Sequence, residues 1–342
     1  MSATGEVMTA LENTYAPRAR RYASLAVGAF VGNETATWFA GSRSAETVTP
    51  PHSDTFYQVG SVTKVFTAML LAELAMRGVV SLGTPLNSLM PVANPAPRAR
   101  EITLKHAATH TTGLPRLPPG LRRSAIGHLS NPYRDYEVAD LHRAFEAVTL
   151  RRQAGTKYKY SNFGAALLGD ALSRASSAPY ADLVRNRIAL PLGLTDTDVF
   201  VAPEEEYRRA VGHSKPGRVV DDWTMSGMAP AGALWSTLDD MLRLVRAHVA
   251  PETTALPEVL RQVQEPAFQA SRWLHMGLAW HISPLRGTDL SAIWHNGATG
   301  GFSSFVAFEP QTGAGVVALT NTARQVMPLG HKVLQALVRI AK

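Results

Sequence analysis

The chain has 342 residues and no cysteine; 34 Lys and Arg against 27 Asp and Glu give a formal charge of +7. This length supports a substantial core in one large unit or two packed domains, and the missing thiols exclude disulfides, zinc–thiolate and iron–sulfur sites and thiol catalysis. The basic excess is scattered, as in Arg98 with Arg100, Arg151 with Arg152 and Arg208 with Arg209, which reads as a solvated surface and not as a nucleic-acid-binding tail.

No basic segment followed by an apolar core opens the chain, and no apolar run reaches the length of a membrane span. The expectation is a cytoplasmic protein with neither nucleic acid nor membrane as partner. Val7, Met8 and Leu11 mark an amphipathic helix over residues 6–15. Two apolar stretches, residues 23–31 and 34–41, flank Gly32-Asn33 and read as a β-hairpin.

Phe56-Tyr57-Gln58-Val59 is extended and leads to Gly60. Beyond it Val65, Phe66, Met69, Leu70 and Leu74 recur at helical spacing up to Gly78, a stop signal. Ser61 therefore opens a helix, and Lys64 lies one turn inside on the same face. A serine hydroxyl needs a neighbouring base to become a nucleophile. A lysine becomes that base only when burial or a second cation lowers its pKa. The helix N-terminus adds unpaired N–H groups that stabilise an oxyanion. The competing reading is a capping serine beside a solvated lysine, and S-x-x-K alone is a weak motif. Ser61 is nevertheless the only serine in the chain followed at the third position by lysine.

Residues 79–275 read as mainly helical with long polar connections. A short helix ends at Ala108, before Thr109-His110-Thr111-Thr112-Gly113-Leu114-Pro115. Residues 116–135 are rich in Pro, Gly and Arg and read as an exposed excursion. Helices follow over 140–148, 163–175 and 180–188. A further helix over 238–248 carries Thr237 as its cap. Strand patterns return over 277–282, 291–295, 302–308 and 315–319, and a helix over 326–340 closes the chain. Strands at both ends with helices between them predict an α+β chain: a sheet domain from 1–60 and 276–342, and a mainly helical domain over 61–275.

Several stretches together resemble the serine β-lactamase and penicillin-binding protein superfamily, nearest its class C β-lactamase-related serine hydrolases. Ser61-Val62-Thr63-Lys64 matches the first motif, S-x-x-K. Tyr160-Ser161-Asn162 matches the second, Y-x-N, and His295-Asn296-Gly297 the third, K-T-G or H-x-G. The segment from Ala107 to Pro115 and the segment from Pro191 to Thr197 resemble the flanking stretches, and order and separations fit from about residue 20 to the end. The resemblance implies an antiparallel sheet with terminal helices beside a helical domain, the site lying in the cleft between them. It implies Ser61 as nucleophile and Lys64 with Tyr160 as the proton-handling pair. It also implies Asn162 holding a substrate amide or the Lys64 head, His295 and Gly297 on the sheet edge, and an oxyanion hole from the Ser61 and Ala298 amides. The family's K-T-G members have a second lysine where this chain has His295.

The function expected is a serine acyl-enzyme hydrolase or acyltransferase without a cofactor. Its substrate is a small ester or amide, with an amine or alcohol as acceptor in the transferase case. A β-lactamase or DD-peptidase is the alternative, and a non-catalytic sensor that is acylated without turnover is the alternative from another class. His106 and His110 stand four apart, but no glutamate follows His106, so the metalloprotease pattern fails. No G-x-S-x-G elbow, P-loop or dinucleotide glycine pattern occurs. Trp223, Met225, Met228, Trp235, Trp273, Trp280 and Trp294 are candidates for an apolar acyl pocket, although residues of each type are more often core.

Overall fold

The computed structural model describes residues 3–92, 95–128 and 130–341; Met1 and Ser2, part of the stretch read for an export signal, lie outside the described residues. The chain begins with helix α1 (Ala3–Tyr15), the hairpin strands β1 (Ser24–Val31) and β2 (Glu34–Gly41), and the short β3 (Tyr57–Gln58). Next come α2 (Thr63–Met76), α3 (Leu104–Ala108), α4 (Leu121–Ser124), α5 (Val138–Ala147), α6 (Asn162–Ser176), α7 (Tyr180–Val184) and α8 (Ala229–Gly232). After β4 (Trp235–Ser236), α9 (Leu238–Val249) and α10 (Pro257–Gln264) come the strands β5 (Phe268–Ser271), β6 (Leu274–Met276), β7 (His281–Pro284), β8 (Ser291–Ala298), β9 (Ser303–Glu309) and β10 (Ala314–Thr320). Helix α11 (Met327–Ile340) ends the chain.

The main sheet has eight strands in the order β2-β1-β10-β9-β8-β7-β6-β5, all pairs antiparallel. Its centre joins both ends of the chain, with Ala29 opposite Val316. Side chains alternate across a strand. Leu25, Val27 and Ala29 therefore pack with Val316, Ala318 and Phe305 under α1 and α11. Ala26 and Phe30 point the other way with Val306, Phe308 and Val317, toward α9 and the rest of the core. Both faces are covered, so β1, β9 and β10 read as continuous apolar runs.

Helix α2 crosses the core on the far side. Every residue from Thr63 to Leu74 is buried, and α6, α8 and α10 pack around it. A helix apolar on all sides is a buried one, so the turn at its start is a rigid base for Ser61.

The hairpin, the terminal helices and the Thr237 cap, whose hydroxyl accepts from Asp240 N–H at 3.2 Å, stand as expected. Three features differ. The strand expected over 277–282 starts only at His281, because Gly277 N–H closes a tight turn onto Trp280 O at 2.8 Å, with Ala279 at φ +65°. The sheet also gains β5 and β6 inside the stretch read as helical; they are short, half-exposed strands at one end of the sheet, β5 its edge, with little apolar alternation. The excursion over 116–135 is not simply exposed either: Leu121, Asn131 and Tyr133 are buried.

Candidate active site

Ser61 sits in a single 3-10 turn, Gly60–Val62, that runs directly into α2. The turn is held from both sides. Thr63 Oγ1 donates to Gly60 O at 2.7 Å and accepts from Leu234 N–H at 3.1 Å. Val59 N–H donates to Leu234 O at 2.9 Å. Lys64 Nζ lies 3.0 Å from Ser61 Oγ and 2.5 Å from the carbonyl oxygen of Ala231. Lys64 is 2% exposed, and burial, reinforced by the Arg116 charge, holds its pKa well below the ordinary lysine value. A neutral amine keeps one lone pair. With an N–H directed to Ala231 O, that lone pair is available to the Ser61 hydroxyl, the arrangement in which a serine proton can pass to lysine.

Tyr160 reaches the same place from a distant segment. The loop over 109–116 and the extended piece over 157–162 are zipped together. Lys159 N–H donates to His110 O at 2.8 Å and Asn162 N–H to Arg116 O at 2.9 Å. Ser161 N–H donates to His110 Nδ1 at 3.2 Å, and Ser161 Oγ donates to Pro115 O at 2.7 Å. Ser161 also caps α6 through Gly164 N–H at 2.9 Å. His110 adopts φ +56° to make this junction, and its ring lies 4.3 Å from that of Tyr160. The Tyr160 hydroxyl faces Ser61, and burial pushes its pKa above the ordinary phenol value, opposed by the Ser61 hydrogen bond and the Arg116 charge. The phenol therefore stays protonated at neutral pH, which suits a proton shuttle and not a resting phenolate.

Ser61, Lys64, Tyr160, Asn162, Gly297 and Ala298 come together at one end of the cleft, the arrangement that the resemblance implies. The helix cap beside Tyr160 is Ser161 and not Asn162, and Lys64 is held by the Ala231 carbonyl and not by Asn162. The Asn162 Oδ1 atom is buried and has no partner among the described residues.

The end of β8 lies against the Ser61 turn. A Cβ at Gly60, which has φ +51°, would fall 2.7 Å from Ala298 N, and one at Gly297 would fall 1.9 Å from Val59 O. Glycine at both positions lets the strand and the turn touch backbone to backbone. Thr299 N–H donates to Phe302 O at 3.0 Å, so antiparallel alternation turns the Ala298 N–H away from β9. The pairing of β8 with β7 covers only Ser291 to Trp294, which leaves the 295–298 edge open toward Ser61.

An open cleft of about 620 Å³ is lined by Ser61, Tyr158, Tyr160, Asn162, Trp294 and Asn296, among others. His295 departs from expectation. The alternation of β8 sends Trp294, Asn296 and Ala298 toward the cleft, whereas His295 is fully buried. Its Nδ1–H donates to Asn296 O at 2.8 Å, and its ring stands 5.1 Å from His281. Burial holds His295 and His110 well below the ordinary imidazole value and brings His281 down to about 4. Among the described residues, no three His, Asp or Glu side chains are placed to hold a metal ion.

Sequence reading missed Arg116, Leu117 and Tyr133, which also line the cleft and come from the stretch read as exposed. Trp223, Met225 and Met228 form a narrow slot with Ser61. Of the other candidates, Trp294 lines the cleft, Trp235 a neighbouring cavity, Trp273 is exposed and Trp280 is core.

The chain is similar to known proteins. A family model described as "Beta-lactamase" matches residues 10–338. The D-alanyl-D-alanine-carboxypeptidase/endopeptidase AmpH of Escherichia coli (strain K12) is 27% identical over 287 residues, covering 79% of this chain and 72% of its own. A beta-lactamase from the same strain is 28% identical over 305 residues, covering 80% and 77%. The crystal structure of a beta-lactamase/D-alanine carboxypeptidase from Pseudomonas syringae superposes with a TM-score of 0.84 at 22% identity, covering 98% of this chain and 99% of that one.

Proposed function

The chain belongs to the beta-lactamase family and is a serine hydrolase of that family; from that premise we propose that Ser61 is the nucleophile of a two-step acyl transfer on a small ester or amide. The observation that carries this reading is the 3.0 Å approach of Lys64 Nζ to Ser61 Oγ by a lysine whose pKa burial lowers well below the ordinary value. Lys64 takes the hydroxyl proton as Ser61 Oγ bonds to the substrate carbonyl carbon. The tetrahedral oxyanion lies between the amides of Ser61 and Ala298, a kind of arrangement in which one donor is worth about 100- to 1000-fold in rate. As the bond to the leaving group breaks, Tyr160 relays the proton from Lys64 to the departing oxygen or nitrogen. Water, or an amine or alcohol acceptor, then reverses these steps on the acyl-enzyme. Asn162, through its unpaired Oδ1, accepts from a substrate amide. No cofactor enters this scheme.

The names of the relatives favour a second reading, turnover of a β-lactam or a D-alanyl-D-alanine peptide. The neutral, buried His295 where K-T-G members carry lysine favours the ester or amide reading, because it supplies no charge to a substrate carboxylate. Mass spectrometry after a fluorophosphonate, with p-nitrophenyl acetate and a chromogenic cephalosporin as parallel substrates, tests both. The expected result is a single adduct on Ser61, lost in Ser61→Ala, and faster turnover of the ester. An adduct persisting in Ser61→Ala removes the proposal. Faster cephalosporin turnover selects the second reading, acylation without turnover the sensor, and product partitioning that responds to added amine the transferase.

A further inference from the structure

The residue at 295 leaves a question of charge. Arg116 lines the cleft, and among the described residues lining it there is no carboxylate and no other lysine or arginine. Its guanidinium carbon stands 5.1 Å from the centroid of the Tyr160 ring, and Lys64 Nζ stands 5.1 Å from the same centroid. The guanidinium has no ion pair with any described residue, although arginines elsewhere in the chain are paired, as Arg208 is with Asp196 and Asp54. Its place is fixed by its backbone, whose carbonyl accepts from Asn162 N–H. A side-chain substitution therefore leaves that junction intact.

We propose that Arg116 is a positioning residue for the Lys64–Tyr160 pair, its permanent charge keeping Lys64 in the amine form at neutral pH in place of a lysine at 295. This rests on the reading of Lys64 as the base. The groups that face Lys64 are Ser61 on its own turn, the Ala231 carbonyl from α8, Tyr160, His110 from the 109–116 loop, His281 from β7 and His295 from β8. Tyr133 and Tyr158 stand behind Tyr160. Burial keeps the imidazoles uncharged and the phenols protonated, so Arg116 is the fixed charge that acts on the pair. Guanidinium does not lose its proton in proteins, whereas a buried lysine readily does.

The test is the pH profile of kcat/KM for p-nitrophenyl acetate, a substrate without charge, at low ionic strength in the wild type, Arg116→Met and Arg116→Lys. With Arg116 removed, Lys64 holds its proton to higher pH. The acid limb moves upward by about half to one pH unit, a size set by an exposed cation within about 10 Å. On the alkaline plateau Arg116→Met matches the wild type within about twofold, and Arg116→Lys returns the limb most of the way. An acid limb that does not move, or a loss equal at all pH values, overturns the proposal. A loss seen only with a carboxylated ester, at an unmoved limb, assigns Arg116 to substrate binding and overturns it too. Arg116→Gln reports the same limb if the methionine variant is poorly folded. Failure of the underlying reading is a separate result, a fluorophosphonate adduct that survives Ser61→Ala.

Discussion

Gly297→Ala is the sharpest probe of the strand-to-turn contact. A Cβ at 297 falls 1.9 Å from Val59 O and 2.5 Å from Ser304 Oγ. Ser304 Oγ already donates to that Val59 carbonyl at 2.7 Å, so the two obstacles hold each other in place. Contacts below 3.0 Å are essentially never made by real Cβ atoms, so β8 and the Ser61 turn must separate by roughly 1 Å in a tightly packed region. The Ala298 amide moves with the strand. A displacement of about 1 Å at a reacting centre costs about 100-fold, and loss of an oxyanion donor about 100- to 1000-fold. The expected outcome is an acylation rate lower by about 100- to 1000-fold, with substrate affinity nearly unchanged. Overpacking adds a stability loss of about 1–3 kcal/mol. The assay is the pre-steady-state p-nitrophenol burst, paired with a thermal melt. Gly83→Ala is the control, because the nearest atom its Cβ meets is Ser81 Oγ at 3.8 Å. A Gly297→Ala enzyme that acylates at the wild-type rate refutes both the contact and the role given to Ala298.

Tyr160→Phe keeps the ring beside Lys64 and Arg116 but removes the hydroxyl facing Ser61; acylation should slow by about 100- to 10,000-fold with KM within a fewfold, and equal turnover would make Tyr160 structural. His110→Ala leaves the Ser161 N–H without its acceptor, a cost of about 1–3 kcal/mol, at a positive φ that asparagine tolerates better than alanine. Calorimetry should therefore rank wild type above His110→Asn above His110→Ala, and equal melting temperatures for the two variants would count against the Ser161–His110 bond. Burial raises the Asp240 pKa to about 6, above its unfolded value of about 4. The folded state then binds the extra proton between these values, so stability at that site is fully present below pH ~4 and is lost as pH rises toward ~6. Asp240→Asn should remove that slope, worth at most ~3 kcal/mol, and a parallel pH dependence in mutant and wild type would contradict it.

The sheet and the nucleophile turn were legible because both rest on local pattern. The apolar runs of β1, β9 and β10 follow from a sheet covered on both faces, and Ser61 with Lys64 follows from helical spacing alone. Tyr160 and Asn162 were placed by motif order, but what seats them is the zipper between His110 and Ser161, a contact 51 positions apart in the chain that no local pattern reports. Arg116 and Tyr133 escaped for the same reason. Proline, glycine and arginine in a loop carry the same signature whether the loop faces water or folds back over a cleft. Strands β5 and β6 escaped because half-exposed strands three or four residues long show no clear alternation. His295 was misplaced by one step of the strand's period: the motif gives the position, and only the pairing register says which face it presents.

The burial of His295 and the exposure of Arg116 belong to one electrostatic arrangement. Placing an ammonium group in the protein interior is costly, and a buried lysine answers by giving up its proton. Lys64 uses that response, since the amine is the form that can accept from Ser61. The Arg116 guanidinium on the cleft wall is exposed and lies close to the Tyr160 ring, so its field reaches the pair with little desolvation cost. The neutral imidazoles then fill the interior with polar groups that add no competing charge. In this arrangement the base is tuned from the solvent side of the phenol, and the sheet contributes backbone and shape.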